Sequence, residues 1–412
     1  MTASRAESNS PSAGAYEPAT GLGPFRQPLF RALWVATLVS NLGTWMQNVG
    51  AAWLMTSLTS SPLVISMVQA ATTLPVFLLA LPAGAFADIL PRRGLLLSSQ
   101  AWMLGAAACL SLVTFAHAIS PVGLLAFTFA LGIGSAMNGP AWQAVFSEIV
   151  PKPDLTAAVS LNAASFNLAR AVGPALGGLI VAKAGAGATF LLNATSFLAV
   201  IFVLYRWKPS PTKSVLPAER FVGAMRSGVR YLVHAPALKA VVVRTLAFTV
   251  FAGALWALLP VVVKTELRRG PSTFGILLGA MGLGAVVGTV LLPHLSGRIS
   301  LDRIVACGTL LFAIVLFATA YLPFYTLELL VMVLGGLAWM VLLSSLSVAT
   351  REVVPNWVQG RALSMYLLVF QGGTALGVSS GAAWHRGPVR NPHYSVRPLV
   401  CQRVFSFGSG SL

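Results

Sequence analysis

Eleven long apolar segments, separated by short joints rich in glycine, proline or charge, dominate this sequence of 412 residues. Each segment approaches the ~20 residues that an α-helix needs to cross a ~30 Å hydrocarbon layer. Apolar residues make up 56% of the chain and charged residues only 9%, which excludes a soluble fold. We therefore predict an all-α polytopic membrane protein with spans near residues 32–54, 63–87, 95–115, 122–142, 157–182, 190–205, 241–263, 273–292, 304–321, 327–346 and 362–384.

The joints on the two sides of the predicted membrane differ in charge. Joints on the side of the N-terminus hold eighteen Lys and Arg residues. The other joints before the C-terminal tail hold only four, which are Lys183, Lys264, Arg268 and Arg269. Cytoplasmic loops retain basic residues, so we predict a cytoplasmic N-terminus. The first apolar run is too long for the core of a signal peptide, which indicates an uncleaved first span.

The net charge of +17 does not indicate a nucleic-acid-binding protein. The basic residues are spread over many joints instead of forming one stripe, so we expect contact with the lipid bilayer and no nucleic-acid partner. Cys109, Cys307 and Cys401 lack the spacing of metal ligands. The sequence also lacks a midplane carboxylate pair, a His cluster and a Gly-Lys phosphate loop, so we expect no metal, no cofactor and no enzyme activity.

A repeat relates the two halves of the chain. Residues 148–178 align without gaps on residues 352–382, with nine identical positions that include a shared Glu-x-Val-Pro joint. Both copies enter an odd-numbered span, so the repeating unit has six helices, as in transporters built from parallel repeats. We predict a loose tail at 1–25, a six-helix bundle at 26–206, a basic linker with an interfacial helix at 207–240, a five-helix bundle at 241–384 and an aberrant basic tail at 385–412.

Three segments carry a family resemblance, namely Asn41-Leu-Gly-Thr-Trp-Met-Gln-Asn48, Gly84-Ala-Phe-Ala-Asp88 followed by Arg92-Arg93, and Arg170-Ala-Val-Gly-Pro-Ala-Leu-Gly-Gly178. They resemble the major facilitator superfamily, and more closely its secretion-effector branch, which includes the enterobactin exporter. The resemblance implies a major facilitator fold of two six-helix bundles in a bacterial inner membrane. It also implies secondary active export of a small organic compound by alternating access, coupled to an ion for which the proton is the first candidate.

The second of these segments resembles the superfamily's signature between helices two and three. In that family the matching residues form a conformational latch, which here comprises Gly84, Asp88, Arg92 and Arg93. A carboxylate at this place can bridge its own loop and a neighbouring helix end. Ile89 departs from the family pattern, and we expect a weaker or differently shaped latch. The alternative interpretation is that the two arginines only set the topology.

The third segment contains a motif that the superfamily's antiporters place in helix five, here Gly173, Pro174, Gly177 and Gly178. Proline bends a helix, and glycines let a second backbone approach closely. We expect sliding contacts between the two bundles here, and ordinary helix packing is the alternative. The predicted small-residue partners are Gly275, Gly279, Gly284 and Gly288 in the eighth span and Gly373, Gly377 and Gly381 in the eleventh.

Arg170 is the most unusual residue, because a central Arg costs at least ~2.5 kcal/mol to insert into a membrane. All ten acidic residues, Glu328 among them, lie in joints, at span edges or in the N-terminal tail, so no midplane carboxylate is expected to pair with it. Three kinds of partner remain, namely an amide or hydroxyl oxygen, a backbone carbonyl freed near Pro174 and an anionic substrate, and we favour the carbonyl because such pairing commonly satisfies a charge in a membrane helix. The same distribution of acidic residues leaves the coupling ion unassigned.

Polar side chains within the apolar spans mark a candidate substrate path. Asn41, Trp45 and Asn48 follow i, i+4, i+7 spacing, so they share one face of the first span. Interhelical hydrogen bonding, at ~0.6 kcal/mol for each residue, is the alternative interpretation. The path candidates are Asn41, Trp45, Gln47, Asn48, Asn138, Asn167, Arg170 and Gln371, and Asn162 lies near the same space.

The apolar pattern stops after Ala383, where a twelfth helix is expected and a basic tail follows instead. Its arginines would lie outside the cell, against the charge rule that the other joints obey. We attribute this to a frame shift near residues 378–383 or to a truncated gene. The alternative to a transporter is therefore a membrane remnant or interaction protein that does not transport.

Overall fold

The computed structural model describes residues 22–208, 235–322, 324–355 and 359–383, and these residues form α-helices joined by short turns. A 3-10 turn, Gly23–Arg26, precedes the first helix, and another, Lys152–Asp154, follows the fourth. The helices are α1 Pro28–Leu58, α2 Pro62–Ile89, α3 Arg92–Phe115, α4 Pro121–Ile149, α5 and α6 within the continuous segment Leu155–Arg206, α7 Pro236–Thr265, α8 Pro271–Ser296, α9 Leu301–Tyr321, α10 Tyr325–Glu352 and α11 Gln359–Ala383.

Gly185 divides the continuous segment into α5, residues 155–184, and α6, residues 186–206. Its backbone has φ 77° and ψ 171°, a conformation that residues with a Cβ rarely adopt. Arg93 at the start of α3 binds backbone carbonyls at the end of α6, so α6 returns to the end of the bundle at which α3 begins. The turn lies in the joint predicted between the fifth and sixth spans.

Proline opens five of the helices, at Pro28, Pro62, Pro121, Pro236 and Pro271. The first N–H groups of a helix have no intrahelical acceptor, so a proline at this position sacrifices no hydrogen bond and supplies a suitable φ. The start of α7 at Pro236 places its first residues inside the segment predicted as linker.

Most of the described helices have the length and composition of membrane spans. Eight described segments are long and apolar enough to cross a membrane, and one of them, Lys152–Arg206, has 55 residues and holds both α5 and α6. The helices α1 and α11 have 31 and 25 residues, which also exceeds the ~20 residues required. Leu112, Val122 and Val290 remain 69%, 75% and 65% exposed, as expected of side chains that face lipid. The predicted all-α polytopic membrane fold is confirmed.

The two halves of the chain pack their helices in the same order. In the first half α1 packs on α5, and α4 packs on α2 and α3. In the second half α7 packs on α11, and α10 packs on α8 and α9. Contacts between the halves are related in the same way. Helix α5 packs on α8, and their counterparts in the other half, α11 and α2, pack on each other. This arrangement matches the predicted six-helix repeat.

The two Glu-x-Val-Pro joints also pack alike. Val150 is buried beside Phe30 near the start of α1, and Val354 is buried beside Leu238 near the start of α7. The domain boundaries stay predictions, because most of both tails and of the linker lies outside the described residues. The interfacial helix predicted within the linker and the aberrant tail predicted at 385–412 fall largely or wholly in those ranges.

The helix bundle has two ends, and we call the end at which α1 begins the basic end and the other the opposite end. The two halves meet at the opposite end, where α1, α7 and α8 converge. The rings of Trp53 and Phe274 stack there with centroids 6.1 Å apart. Lys264 at the end of α7 donates a hydrogen bond to the carbonyl oxygen of Thr56 near the end of α1.

Candidate functional site

A polar cavity of about 420 Å³ lies in the first half of the chain, on the side of the basic end. Helices α1, α4 and α5 supply most of its lining, with smaller contributions from α3 and α6. A space lined by amides inside a membrane protein can take up water or a polar ligand, because the surrounding hydrocarbon cannot form hydrogen bonds with the amides or with the ligand. The polar lining includes Ser40, Asn41, Gln100, Asn138, Gln143 and Asn162.

Asn138 links two walls of the cavity. Its Oδ1 accepts a hydrogen bond from Gln100 Nε2 at 3.2 Å and lies 3.4 Å from the hydroxyl of Ser99, both on α3. Gln100 is 4% exposed, and its Oε1 has no hydrogen-bond partner among the described residues. Sequence reasoning missed Gln100, although a lone amide in the apolar run 95–115 was a usable signal.

The structure brings some predicted path residues to this cavity and not others. Asn41 and Asn138 line it together. Asn48, Asn167 and Gln371 are half-buried and do not line it. Their place on a substrate path stays a prediction.

Gln47 lies on a different face of α1 from the cavity. It is 6% exposed, and its Oε1 accepts a hydrogen bond from Asn193 Nδ2 of α6. Asn193 also lies 3.5 Å from the hydroxyl of Thr44. This geometry favours the alternative interpretation, in which Gln47 holds α1 against α6 through an interhelical hydrogen bond.

Arg170 lies where the two halves of the chain meet. It is 9% exposed, and neither Nε nor Nη2 has a hydrogen-bond partner among the described residues. The expected pairing with a freed backbone carbonyl is therefore not seen at these two nitrogens. The guanidinium carbon lies 5.9 Å from the ring centroid of Trp256 on α7, which provides a cation–π contact.

Aromatic rings connect Arg170 with the cavity. Trp256 lies 6.3 Å from Trp45 on α1, and Trp45 lies 6.2 Å from Phe166 on α5, measured between ring centroids. Phe166 in turn lines the polar cavity. The predicted residues Asn41, Trp45 and Arg170 thus belong to one continuous set of polar and aromatic groups.

The helix-five motif makes two close backbone contacts. A Cβ at Gly173 would lie 2.6 Å from Cβ of Trp45, so this glycine and Gly177 let α1 approach. A Cβ at Gly178 would lie 2.9 Å from Cα of Gly275, and the carbonyl of Pro174 touches the same glycine of α8. The predicted contact between α5 and α8 is present in the structure.

Other predicted partners of this contact were wrong. Gly284 and Gly288 face Val333 and Leu337 of α10, inside the second half of the chain. Gly373 and Gly377 face α7, where Gly377 meets the backbone of Val250. Each residue turns the helix by about 100°, so glycines on one helix can point to different neighbours. The contacts of Gly381 are not part of this description, and Gly372 of α11 lies against Phe77 of α2.

Both arginines of the predicted latch lie against helix ends. Arg92 forms an ion pair with Glu148 at the end of α4, and the two side chains are 35% and 17% exposed. Arg93 donates hydrogen bonds to the carbonyl oxygens of Leu204 at 3.0 Å and Tyr205 at 2.6 Å, at the end of α6. Cationic side chains at these positions stabilise the unpaired carbonyls of a helix C-terminus.

The remaining latch residues are less constrained. A Cβ at Gly84 would meet no atom of the described residues within 4 Å, so none of the contacts described here requires a glycine at this position. The side chain of Asp88 lies outside the described part of the chain. A bridging role for Asp88 stays a prediction.

A family model described as transmembrane secretion effector matches residues 19–390, which is most of the chain. The chain belongs to the transmembrane secretion effector family. The predicted membership of the secretion-effector branch of the major facilitator superfamily is confirmed.

Curated relatives of this secretion effector are transporters. The staphyloferrin A transporter of Staphylococcus aureus is 24% identical over 281 residues, covering 68% of this chain and 70% of that protein. The multidrug efflux pump Tap of Mycolicibacterium fortuitum is 24% identical over 350 residues, covering 82% of this chain and 85% of that protein. This secretion effector is therefore a membrane transporter for small molecules and not an enzyme.

Solved transporter structures share its fold. A bacterial homologue of the human lysosomal transporter Spinster matches with a TM-score of 0.70 at 14% identity, covering 87% of this chain and 82% of that chain. The nucleoside transporter NupG matches with a TM-score of 0.70 at 12% identity, covering 86% of this chain and 90% of that chain. At these identities the likeness shows the major facilitator fold.

Proposed function

We propose that this secretion effector exports a small organic anion by alternating access, as a secondary active transporter of a bacterial inner membrane. The efflux pump among its relatives supports outward transport. The observation that carries the anionic class is Arg170, a buried guanidinium with two nitrogens that have no hydrogen-bond partner among the described residues. A buried guanidinium with two nitrogens that lack acceptors is costly, and an anionic substrate would supply both the counter-charge and the acceptors.

The surroundings of Arg170 support a route for such a substrate. The polar cavity adjoins Phe166, and Trp45 and Trp256 lie between that ring and the guanidinium. Amides such as Asn41 can replace the water that a polar compound loses, and the aromatic rings provide apolar contact. The combination suits a compound with an acidic group on an apolar or aromatic body.

The charge distribution supports an orientation with the N-terminus and the basic end in the cytoplasm. In this conformation the halves meet at the opposite end, so the cavity would be reached from the cytoplasmic side. Export then requires that the halves separate at the opposite end. The close backbone contact of Gly178 with Gly275 is of a kind that lets α5 and α8 slide, and Arg92 and Arg93 would stabilise the joints at the basic end.

Export is tested by measuring accumulation of a compound panel in bacterial cells that lack their own efflux pumps. The panel contains organic acids and neutral and cationic analogues of similar size. We expect lower accumulation of the acids only, and loss of this effect in Arg170→Gln, since a hydrogen bond to a charged group contributes ~1.5–3 kcal/mol, about 10- to 150-fold in binding. Arg170→Lys should retain part of the activity.

The matched control is Arg206→Gln, which removes one positive charge from an exposed helix end. It should export as the wild type does. Normal export of acids by a correctly inserted Arg170→Gln variant would contradict the anion assignment. Failure to export any compound would favour the alternative of a membrane protein that does not transport.

A further inference from the structure

Trp256 of α7 carries a buried indole N–H without an acceptor. Its Nε1 has no hydrogen-bond partner among the described residues. The same holds for Nε and Nη2 of Arg170, whose guanidinium carbon lies 5.9 Å from the ring centroid of Trp256. Three donors that lack acceptors therefore lie on two neighbouring side chains, one on α5 in the first half of the chain and the other on α7 in the second half.

The two nitrogens of Arg170 lie on the same edge of its guanidinium. The N–H bonds of Nε and Nη2 run parallel in one plane, so they can donate together to two oxygens of one planar group. A carboxylate presents its oxygens in this arrangement, and its single negative charge balances the single positive charge of the guanidinium. No carboxylate within the described ranges lies within 4.0 Å of Arg170, so the chain leaves this edge to another group.

The neighbours of the Trp256 ring are aromatic. Its centroid lies 6.3 Å from that of Trp45 on α1 and 5.8 Å from that of Trp339 on α10, and Trp339 lies 6.0 Å from Phe370 on α11. A buried tryptophan usually pairs its N–H, so an indole donor without a partner is uncommon. The N–H of Trp256 can be satisfied by an acceptor on a ligand, and the rings beside it suit an aromatic or apolar ligand body.

The enclosure of these donors limits the size of the head group that can bind them. All three nitrogens are buried in this conformation, so a ligand reaches them only if the side chains of Arg170 and Trp256 move apart. A flat carboxylate requires a smaller separation than a tetrahedral sulfonate or phosphonate does. Each carboxylate oxygen has two acceptor positions, so one oxygen can accept from the guanidinium and from the indole at the same time.

We propose that Arg170 and Trp256 form a carboxylate-binding site between the two halves, in which the guanidinium edge holds both oxygens and the indole N–H donates a third hydrogen bond. The inference rests on the proposed export of organic anions and names carboxylates as the class of anion. Trp256 is then a specificity-determining residue. A neutral amide on the same body lacks the charge, and a sulfonate has a bulkier head group, so both bind more weakly than the carboxylate.

The test measures binding to the purified chain in nanodiscs by isothermal titration calorimetry. The probes are 2-naphthoate, 2-naphthalenesulfonate and 2-naphthamide, which share one ring system and differ in the head group. We expect the wild type to bind 2-naphthoate most tightly. Trp256→Phe keeps an aromatic ring and removes the N–H, so it should weaken the binding of 2-naphthoate by about 10- to 150-fold, as expected for one hydrogen bond to a charged group, and reduce its preference over 2-naphthamide.

Trp102→Phe is the matched control. The N–H of Trp102 on α3 already donates to the carbonyl oxygen of Ala130 at 2.7 Å, and the residue is 52% exposed, so the same change there should leave the binding of 2-naphthoate unaltered. The proposal is overturned if Trp256→Phe binds 2-naphthoate as the wild type does, or if the wild type binds none of the probes. Equal binding of the carboxylate and the sulfonate would overturn the carboxylate class and leave the export of organic anions standing, whereas an absence of export would leave the binding result readable.

Discussion

Replacing Gly178 by Ala is expected to weaken the contact between α5 and α8 and to depopulate the conformation in which the halves meet at the opposite end. The added Cβ would lie 2.9 Å from Cα of Gly275 and 2.5 Å from the carbonyl oxygen of Pro271. Both are backbone atoms, which cannot rotate away as a side chain can. Favourable carbon contacts begin near 3.5 Å, so the two helices must move apart by roughly 0.6–1 Å.

The magnitude follows from the cost of overpacking. Inserting a methyl group into a well-packed contact typically costs ~1–3 kcal/mol. This corresponds to about a 5- to 150-fold change in a conformational equilibrium. The cost falls on the closed conformation alone if the two glycines separate on opening, so the open population rises by that factor.

The assay is double electron–electron resonance in nanodiscs at one pH. Spin labels are placed at Ser60→Cys and Thr265→Cys, two exposed positions at the opposite end, one in each half, and the distance distributions of variant and wild type are compared. Gly105→Ala is the control, because a Cβ at this α3 glycine would meet no atom within 4 Å in the part of the chain that the structure describes, and it should behave as the wild type. If Gly178→Ala, inserted and monodisperse, gives the wild-type distribution, the steric argument is refuted.

Two further predictions concern hydrogen bonds between helices. In a double-mutant cycle of Arg92→Gln and Glu148→Gln, the free energy of unfolding should show a coupling of ~0.2–1 kcal/mol, because the paired side chains are partly exposed, and strictly additive effects would argue against the ion pair. Asn193→Ala leaves Gln47 buried without its donor and should reduce stability in thermal unfolding by ~1–3 kcal/mol with export nearly unchanged. A loss of export at normal stability would place Gln47 on the substrate path instead.

The positions of the spans were predictable from the sequence because a hydrocarbon layer imposes a minimum apolar length on every helix that crosses it. Joints such as the one around Gly185 were visible for the same reason, and the structure places the turn there. The close approach at Gly178 was also predictable, since adjacent small residues have few uses in a membrane helix other than packing.

The sequence was a poorer guide to which neighbouring helix each glycine packs against. Gly284 of α8 and Gly373 of α11 had the spacing of an interface between the halves, yet both pack within the second half. Spacing along one helix specifies a face, whereas the neighbour on that face depends on how the other helices are arranged around it. Gln100 was missed for a related reason, because its importance comes from Asn138 on a different helix.

By itself, the sequence determined that this chain is a two-part helical membrane protein of the secretion-effector type, because apolar length, basic joints and the internal repeat are properties of the linear chain. Only the tertiary structure decided that Arg170 lies without a hydrogen-bond partner at two nitrogens where the halves meet, and that Glu328 is enclosed although it stands at a span edge. The energy of a charged group depends on every group within a few ångströms of it, and in this fold most of those groups come from distant parts of the chain.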